Sequence, residues 1–528
     1  MKIRVSKLEK TVLWHPLLPG ILLVSAIVRI WLGPPTWITA VTILTCAAWL
    51  AFALWNRRTK GAWVESLEID TSALRKAIET PKPMPAAPPA AGTREHARLV
   101  FEGIELVERI QREQAMPPPP LPSEEEIRAT ARPAIFLHRA ALPVPLDHPG
   151  RSYLGGLPRL PPGLPWPEKE TDERFALTFL AQIDLAELPV VESSPLPRSG
   201  TLYFFADTNN DGPEPFNGRV LYFAGDTTNV PVRELPEIAQ PYGIGGEPWP
   251  WLPEESVWAR TNFRFPLEFV PFDSFRDYFI HEGRKFPLPR GNEALNRVRG
   301  EEFIKRFGHR DSPTQNRWDV FQSDRDEWPF AWVAIDYGAR AITRAVRDVL
   351  TRREVAEAAT EYKRIRNAAS KWIARAATEV PYARCDESTR AAFLTEWRAL
   401  IADFGATSRR VKIHGPDPAR ALANILVASC YVCASHDAAD VIPEIYRNAL
   451  ANLSDVSLTF PKHQMLGHGE RVQWAPIQYA DQILLLRLLG DDGLGWHSNI
   501  GCAMQFWVSA EALEQLAFDT VEMTLECD

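Results

Sequence analysis

The sequence has no surplus of positive charge. Lysine and arginine number 59 against 67 acidic residues, a net charge of −8. That balance excludes a nucleic-acid partner held mainly through phosphates. Cysteine is scarce: six in 528 residues, mostly far apart, with Cys46 inside an apolar run. The other five are an odd number and too few for a disulfide framework, so a reducing compartment is expected. No P-loop, G-x-S-x-G elbow, H-E-x-x-H pair or G-x-G-x-x-G loop is present, so the common catalytic signatures are missing. A content of 45% apolar and 24% charged residues excludes a wholly disordered chain. The length allows two to four folded units.

Some strings imitate motifs. His309-Arg310-Asp311 with Asn316, and Asp403-Phe404-Gly405, have kinase spacing. Yet Val333-Ala334-Ile335 is followed by Asp336 where a kinase needs lysine, and it comes after the His-Arg-Asp string. Gly405 reads as a helix C-cap. Asp207, Asn209 and Asp211 imitate a calcium loop, but the twelfth position is Gly218, not glutamate. A polar turn is the plainer reading. Cys430 and Cys433 with His436 lack a second ligand pair for zinc, so they read as core residues. No metal and no cofactor is expected.

What is present begins with two long apolar stretches, 12–32 and 36–55, joined by Gly33-Pro34-Pro35. Each suffices to cross a bilayer. Trp14, Trp31, Trp37 and Trp55 sit at their ends, as expected at a headgroup level. Lys2, Arg4, Lys7 and Lys10 precede the pair, and Arg57, Arg58 and Lys60 follow it. The positive-inside rule then places both termini in the cytoplasm and the hairpin in the inner membrane. Arg29 lies close enough to the outer end to snorkel. Residues 61–130 read as a linker. Proline, 46 in all, is concentrated in 81–91 and 117–122, which read as stiff spacers. Between them Ala97, Val100, Phe101, Ile104, Val107 and Ile110 form one face of an amphipathic helix over 93–115. Ser123 and Glu126 have capping-box spacing.

From about residue 131 short strands, prolines and aromatics alternate. Gly155-Gly156 permits a turn with positive φ. Trp166 stands between Pro165 and Pro167, the stretch 176–189 reads as a strand entering a turn, and 201–205 as a second strand. This block, with Phe179, Leu180, Gln182, Ile183, Asp184, Leu185, Gly200 and Tyr203, resembles the YwqG-like family, a bacterial domain-of-unknown-function family. A second block resembles it again: His463-Gln464-Met465-Leu466-Gly467, Leu484 to Leu488, Asp491-Asp492, Gly495-Trp496 and Gln505-Phe506-Trp507. Arg487 departs from the glutamine expected there, and Trp496-His497 matches loosely. The resemblance covers roughly 131–300 and 455–528. It implies an α+β fold over 131–528 and supplies no reaction. The two blocks repeat the order strand, acidic turn, glycine, aromatic strand, which suggests two similar sheet-containing halves. Between them, 338–454 reads as a helical insertion, with helices over 341–380, 389–404, 418–431 and 443–453.

Polar residues inside the apolar blocks are the candidate ligand-binding set: Trp166, Gln182, Asp184, His463, Gln464, Asp491, Asp492 and Trp496. If the halves face each other, these line one cleft suited to a polar ligand or peptide. The plainer reading has Asp184 capping a turn, Gln182 bonding a neighbouring strand and both indoles filling the core. The expected function is a non-catalytic, membrane-anchored module that binds a protein or small ligand. The alternatives are a hydrolase using Asp184 or Asp492 with His463, which requires those groups in hydrogen-bond reach of one atom, and a membrane-associated assembly protein.

Overall fold

A computed structural model describes residues 119–528, apart from 170–174, 192–193, 209–216, 239–260, 308–320, 322–326, 414–417, 452–460, 492–493, 495–501 and 528. The chain divides into two units, Met1–Pro119 and Pro120–Asp528. In the first, Lys2–Ile3 and Leu67–Glu68 form a short antiparallel pair. The apolar stretches 12–32 and 36–55, the amphipathic segment 93–115 and the His-Arg-Asp string all lie outside the described residues.

The second unit opens with α1, Glu124–Arg128. Its capping box is formed: Ser123 Oγ accepts from the Glu126 amide, and Glu126 reaches back to the Ser123 amide. A ten-stranded antiparallel sheet follows, built from β1 (Arg132–Arg139), β2 (Tyr153–Leu154), β3 (Thr178–Asp184), β4 (Thr201–Ala206), β5 (Gly218–Phe223), β6 (Phe265–Ser274), β9 (His463–Leu466), β10 (Ile483–Leu489), β11 (Ala503–Val508) and β12 (Glu522–Glu526). A separate hairpin, β7 (Tyr278–His281) and β8 (Arg284–Pro287), follows β6. The sheet order is β12-β11-β10-β9-β1-β6-β2-β3-β4-β5.

That order is symmetric about the β1–β6 pair, and so is the register. Tyr153 of β2 opposes Pro266, and Gln464 of β9 opposes Phe136. Tyr153 then faces Gln182, which faces Tyr203; Gln464 faces Arg487, which faces Gln505. Both flanks carry a bulge at matching positions, between Phe179 and Ala181 and between Leu484 and Leu486. Each flank hangs on the strand that precedes the other flank in the chain. Both β2 and β9 end in a left-handed turn, at Gly155-Gly156 (φ +66° and +68°) and at Leu466-Gly467 (φ +61° and +71°). A side chain at Gly155 would run into the Phe263 carbonyl, 2.2 Å from its Cβ. Bulges sharpen twist, and the sheet curls until β5 nears β12: a Cβ on Gly218 would lie 2.5 Å from that of Met523. Phe204 and Phe506, at equivalent places in the two flanks, meet edge-to-face inside the curl at 5.3 Å.

Helices complete the core. After α2 (Glu293–Phe307) come α3 (Trp332–Leu350), α4 (Ala359–Ala376), α5 (Glu387–Arg410), α6 (Leu422–Ala434) and α7 (Glu444–Ala451). Helices α3 to α7 share one apolar core with the inner face of the sheet. Tyr431 of α6 packs on Phe263 and Phe265, at 5.4 and 5.2 Å. Each such aromatic contributes about 2 kcal/mol through burial. Three sequence expectations change here. The helix expected over 341–380 is two helices, α3 and α4, broken by a 3-10 segment at Arg353–Ala358. Gly405 is no C-cap, because α5 continues to Arg410. Cys502 and Cys527 form a disulfide, which the odd cysteine count hid: one bridge needs only two of the five. Cys430 and Cys433 are buried in α6, where burial pushes the Cys433 thiol up to about 12.

Candidate functional site

The inner and outer faces of the sheet place the candidate residues differently. On the outer face of the first flank, Gln182 is fully used. Its Oε1 accepts from Tyr153 Oη (2.8 Å) and the Arg159 amide (2.9 Å), and its Nε2 donates to the Arg151 carbonyl (2.8 Å). Trp166 donates Nε1–H to the Leu177 carbonyl and packs on Phe205 at 5.4 Å. Asp184 ends β3, accepts the Ala186 amide at 2.9 Å as the cap of a 3-10 turn, and pairs with Arg151 at 2.9 Å. Burial pushes the Tyr153 hydroxyl up to about 12. This flank is sealed by apolar residues, prolines and satisfied amides.

His463 and Asp491 do meet, at the end of the second flank. His463 Nε2–H donates to Asp491 Oδ2 at 3.0 Å. Arg139, at the end of β1, grips the same carboxylate with two bonds of 2.6 and 2.8 Å. Burial alone would raise the Asp491 carboxyl; the Arg139 charge and the His463 bond hold it well below the usual range. All three side chains are buried to within 1% of complete. A general base must reach a substrate proton, and among the described residues both members of this pair are turned to each other and to Arg139. Asp184 does not join it. Asp184 on β3 and His463 on β9 stand four strands apart in the sheet order, roughly 19 Å at the usual strand spacing. Asp492 and Trp496 lie outside the described residues.

Gln464 faces outward on the second flank, donating Nε2–H to the Leu466 and His468 carbonyls at 2.7 and 2.8 Å. Beside it is the cluster that sequence reasoning missed. Arg487, fully buried on β10, gives one guanidinium nitrogen to the Pro461 carbonyl and lies 3.7 Å from Glu470. Arg299 of α2 approaches the same Glu470 oxygen at 3.3 Å. Asp277, just before β7, accepts the Arg471 amide with Oδ2 at 2.6 Å, and its buried Oδ1 accepts no hydrogen bond. Burial and the nearby Glu470 push the Asp277 carboxyl up to about 7. Burial pushes the Arg487 guanidinium down to about 10 against the pull of Glu470. Arg487, Arg299, Gln464 and Ser274 line a cavity of about 20 Å³ walled by Phe272 and Phe303. That is room for about one water molecule. Glu302 also lines it but is already paired with Arg306 (2.8 Å) and Lys305 (3.3 Å). The readable signal was Arg487 itself, a charge inside the run Leu484 to Leu488. Asp277 and Arg299 sit in unremarkable sequence and are gathered only by folding.

A wider groove of about 470 Å³ runs between Leu121, α1 and the β7–β8 hairpin. None of the residues chosen from the sequence as binding candidates lines it. Among the described residues, no group of His, Cys, Asp and Glu could hold a metal ion, and no helix is long and apolar enough to cross a membrane. A family model described as a domain of unknown function, DUF1963, matches residues 152–331 and 352–527. The matched segments hold all of the sheet except β1; the unmatched stretch between them is α3 with Thr351. No curated protein matches the chain.

Proposed function

This chain belongs to the DUF1963 family, and from that premise we propose that it is a membrane-anchored, non-catalytic binding module whose second flank captures a small carboxylate group. The observation that carries this reading is the convergence of Arg487, Arg299 and Gln464 on one cavity, with Glu470 beside both guanidinium groups. A guanidinium fork offers paired N–H donors that suit a carboxylate. The neighbouring Asp277, pushed up to about 7, does not supply a full negative charge at neutral pH. The anchor is the apolar pair 12–32 and 36–55, with both ends toward the cytoplasm by its flanking lysines and arginines.

The test is calorimetric titration of the full chain in mild detergent with acetate and then with glycine, beside Arg487→Gln. We expect wild-type binding and a loss of at least about tenfold in the variant, the scale of one charged hydrogen-bonding partner. No binding by either protein would refute the carboxylate reading. Anchoring is tested separately: deletion of residues 12–55 is expected to move the protein from alkali-washed membranes to the supernatant. A second reading has one observation in its favour. A buried carboxyl titrating near 7 beside another carboxylate suits a general acid. Hydrolytic turnover abolished by Asp277→Asn would establish it in place of the first.

A further inference from the structure

The loop that carries Glu470 is held from the two strand ends joined by the disulfide. Ala503 opposes Glu526 at the end of the β11–β12 ladder, and one step beyond, Cys502 opposes Cys527 with Cα atoms 4.1 Å apart. Glu526 accepts the amides of Gln473 (3.0 Å), Trp474 (2.5 Å) and Ala475 (2.5 Å) with its two oxygens. The Cys527 carbonyl accepts from Gln473 Nε2 at 2.7 Å. On the other strand, Gln505 accepts the Glu470 amide (2.8 Å) and donates to the Glu470 carbonyl (3.0 Å). Residues 470–475 therefore hang on β11 and β12 together, and the bond sits at the solvent end of that suspension. Cys527 is exposed and Cys502 half-buried, so a thiolate can reach the bridge.

We propose that Cys502–Cys527 is a redox latch on the 470–475 loop, opened by exchange with a dithiol and closed by exchange with a disulfide. A dithiol thiolate attacks the exposed Cys527 sulfur, and Cys502 leaves as a thiolate that takes up a proton. The second thiol of the reductant then releases Cys527 and is itself oxidised to a disulfide. Two electrons and two protons pass to the protein. The freed end of β12 no longer fixes Glu526, the amides of 473–475 lose their acceptor, and the Glu470 carboxylate loosens from Arg299 and Arg487. The consequence for carboxylate capture rests on the reading above; the mechanical latch does not.

The experiment compares the full chain before and after treatment with a dithiol reductant. Intact mass follows the gain of two hydrogens, and amide exchange is followed over 468–478. Opening is expected to speed exchange at 473–475 at least about tenfold, with the same change in untreated Cys527→Ser. Gain of the two hydrogens with unchanged exchange would overturn the latch. So would a chain in which both cysteines remain open to alkylation after oxidation with excess small-molecule disulfide. Acetate titration of both forms is the separate arm. Faster exchange with no acetate binding in either form leaves the latch standing and refutes the carboxylate reading.

Discussion

The two flanks of the sheet use one scaffold for opposite electrostatics. In the first, Tyr153 Oη lies 2.9 Å from the Leu157 carbonyl, and Tyr203 Oη donates to that of Arg159 at 2.8 Å. In the second, Gln464 Nε2 donates to the His468 carbonyl and Gln505 Nε2 to that of Glu470. Register makes these pairs equivalent, so the same strand positions hold the same covering loop by its backbone. Only the central residue changes character: Gln182 in one flank, Arg487 in the other. Where Gln182 bonds Tyr153 and the Arg159 amide, Arg487 faces Glu470, Arg299 and a cavity. Backbone hydrogen bonding sets the scaffold, and the central side chain of each flank differs in charge.

The strongest way to break this comparison is to move the charge. Gln182→Arg puts a guanidinium among Tyr153, Phe179 and Tyr203, beside the buried Arg264 that lies 3.8 Å over the Tyr153 ring. A loss of at least about 4 kcal/mol in urea unfolding is expected, from burying an unpaired charge. A loss below about 1 kcal/mol would mean that the flanks are interchangeable. Asp491→Ala tests the charge that the second flank keeps closed. It leaves Arg139 and His463 facing an empty place, and about 3–5 kcal/mol should be lost. The wild-type contribution of Asp491 is present above its unfolded pKa near 4. It should fade as pH falls through the depressed folded value.

Asp277 has the opposite sign. Its folded pKa is raised, so the native state holds a proton that the unfolded chain has released. Stability from this group falls as pH rises from about 4 to about 7 and stays lowered above. Asp277→Asn should remove that slope and gain about 2 kcal/mol at pH 8 relative to pH 5, read from thermal unfolding at both values. An unchanged difference between the two pH values would place the titrating group elsewhere. His468, pushed down to about 3 by burial while donating to the Thr130 carbonyl, adds a slope of its own, losing stability as pH falls below about 6.5. Subtracting the Asp277→Asn curve from wild type separates the two. The smallest effect is Tyr203→Phe, which removes one clamp on the first-flank loop and should cost about 1 kcal/mol.

Much of the local structure was legible in the residues. The capping box at Ser123 and Glu126, the left-handed turn at Gly155-Gly156, and the strands 178–184 and 201–206 all follow from short-range sterics and hydrogen bonding. The resemblance of the two blocks also pointed to the family. The candidate site was legible only in fragments. His463 and Asp491 were chosen and do meet, yet the residue that neutralises them, Arg139, lies 352 positions from Asp491. Gln182 and Asp184 were chosen because polar residues in apolar strands stand out, and both prove to be spent on backbone and turn. Asp277, Arg299 and Glu470 gave no sign, since each is an ordinary charge in its own segment.

The sequence by itself determined what depends on near neighbours: the capping box at Ser123 and Glu126, the left-handed turn at Gly155-Gly156, and the strands around 178–184 and 201–206. The tertiary structure alone decided that β1 joins the second flank and β6 the first, that Cys502 faces Cys527, and that three distant charges converge on Arg487. Those choices depend on strand register and on burial shared between segments hundreds of residues apart. No local preference encodes such terms, because their energies exist only once the chain has closed on itself.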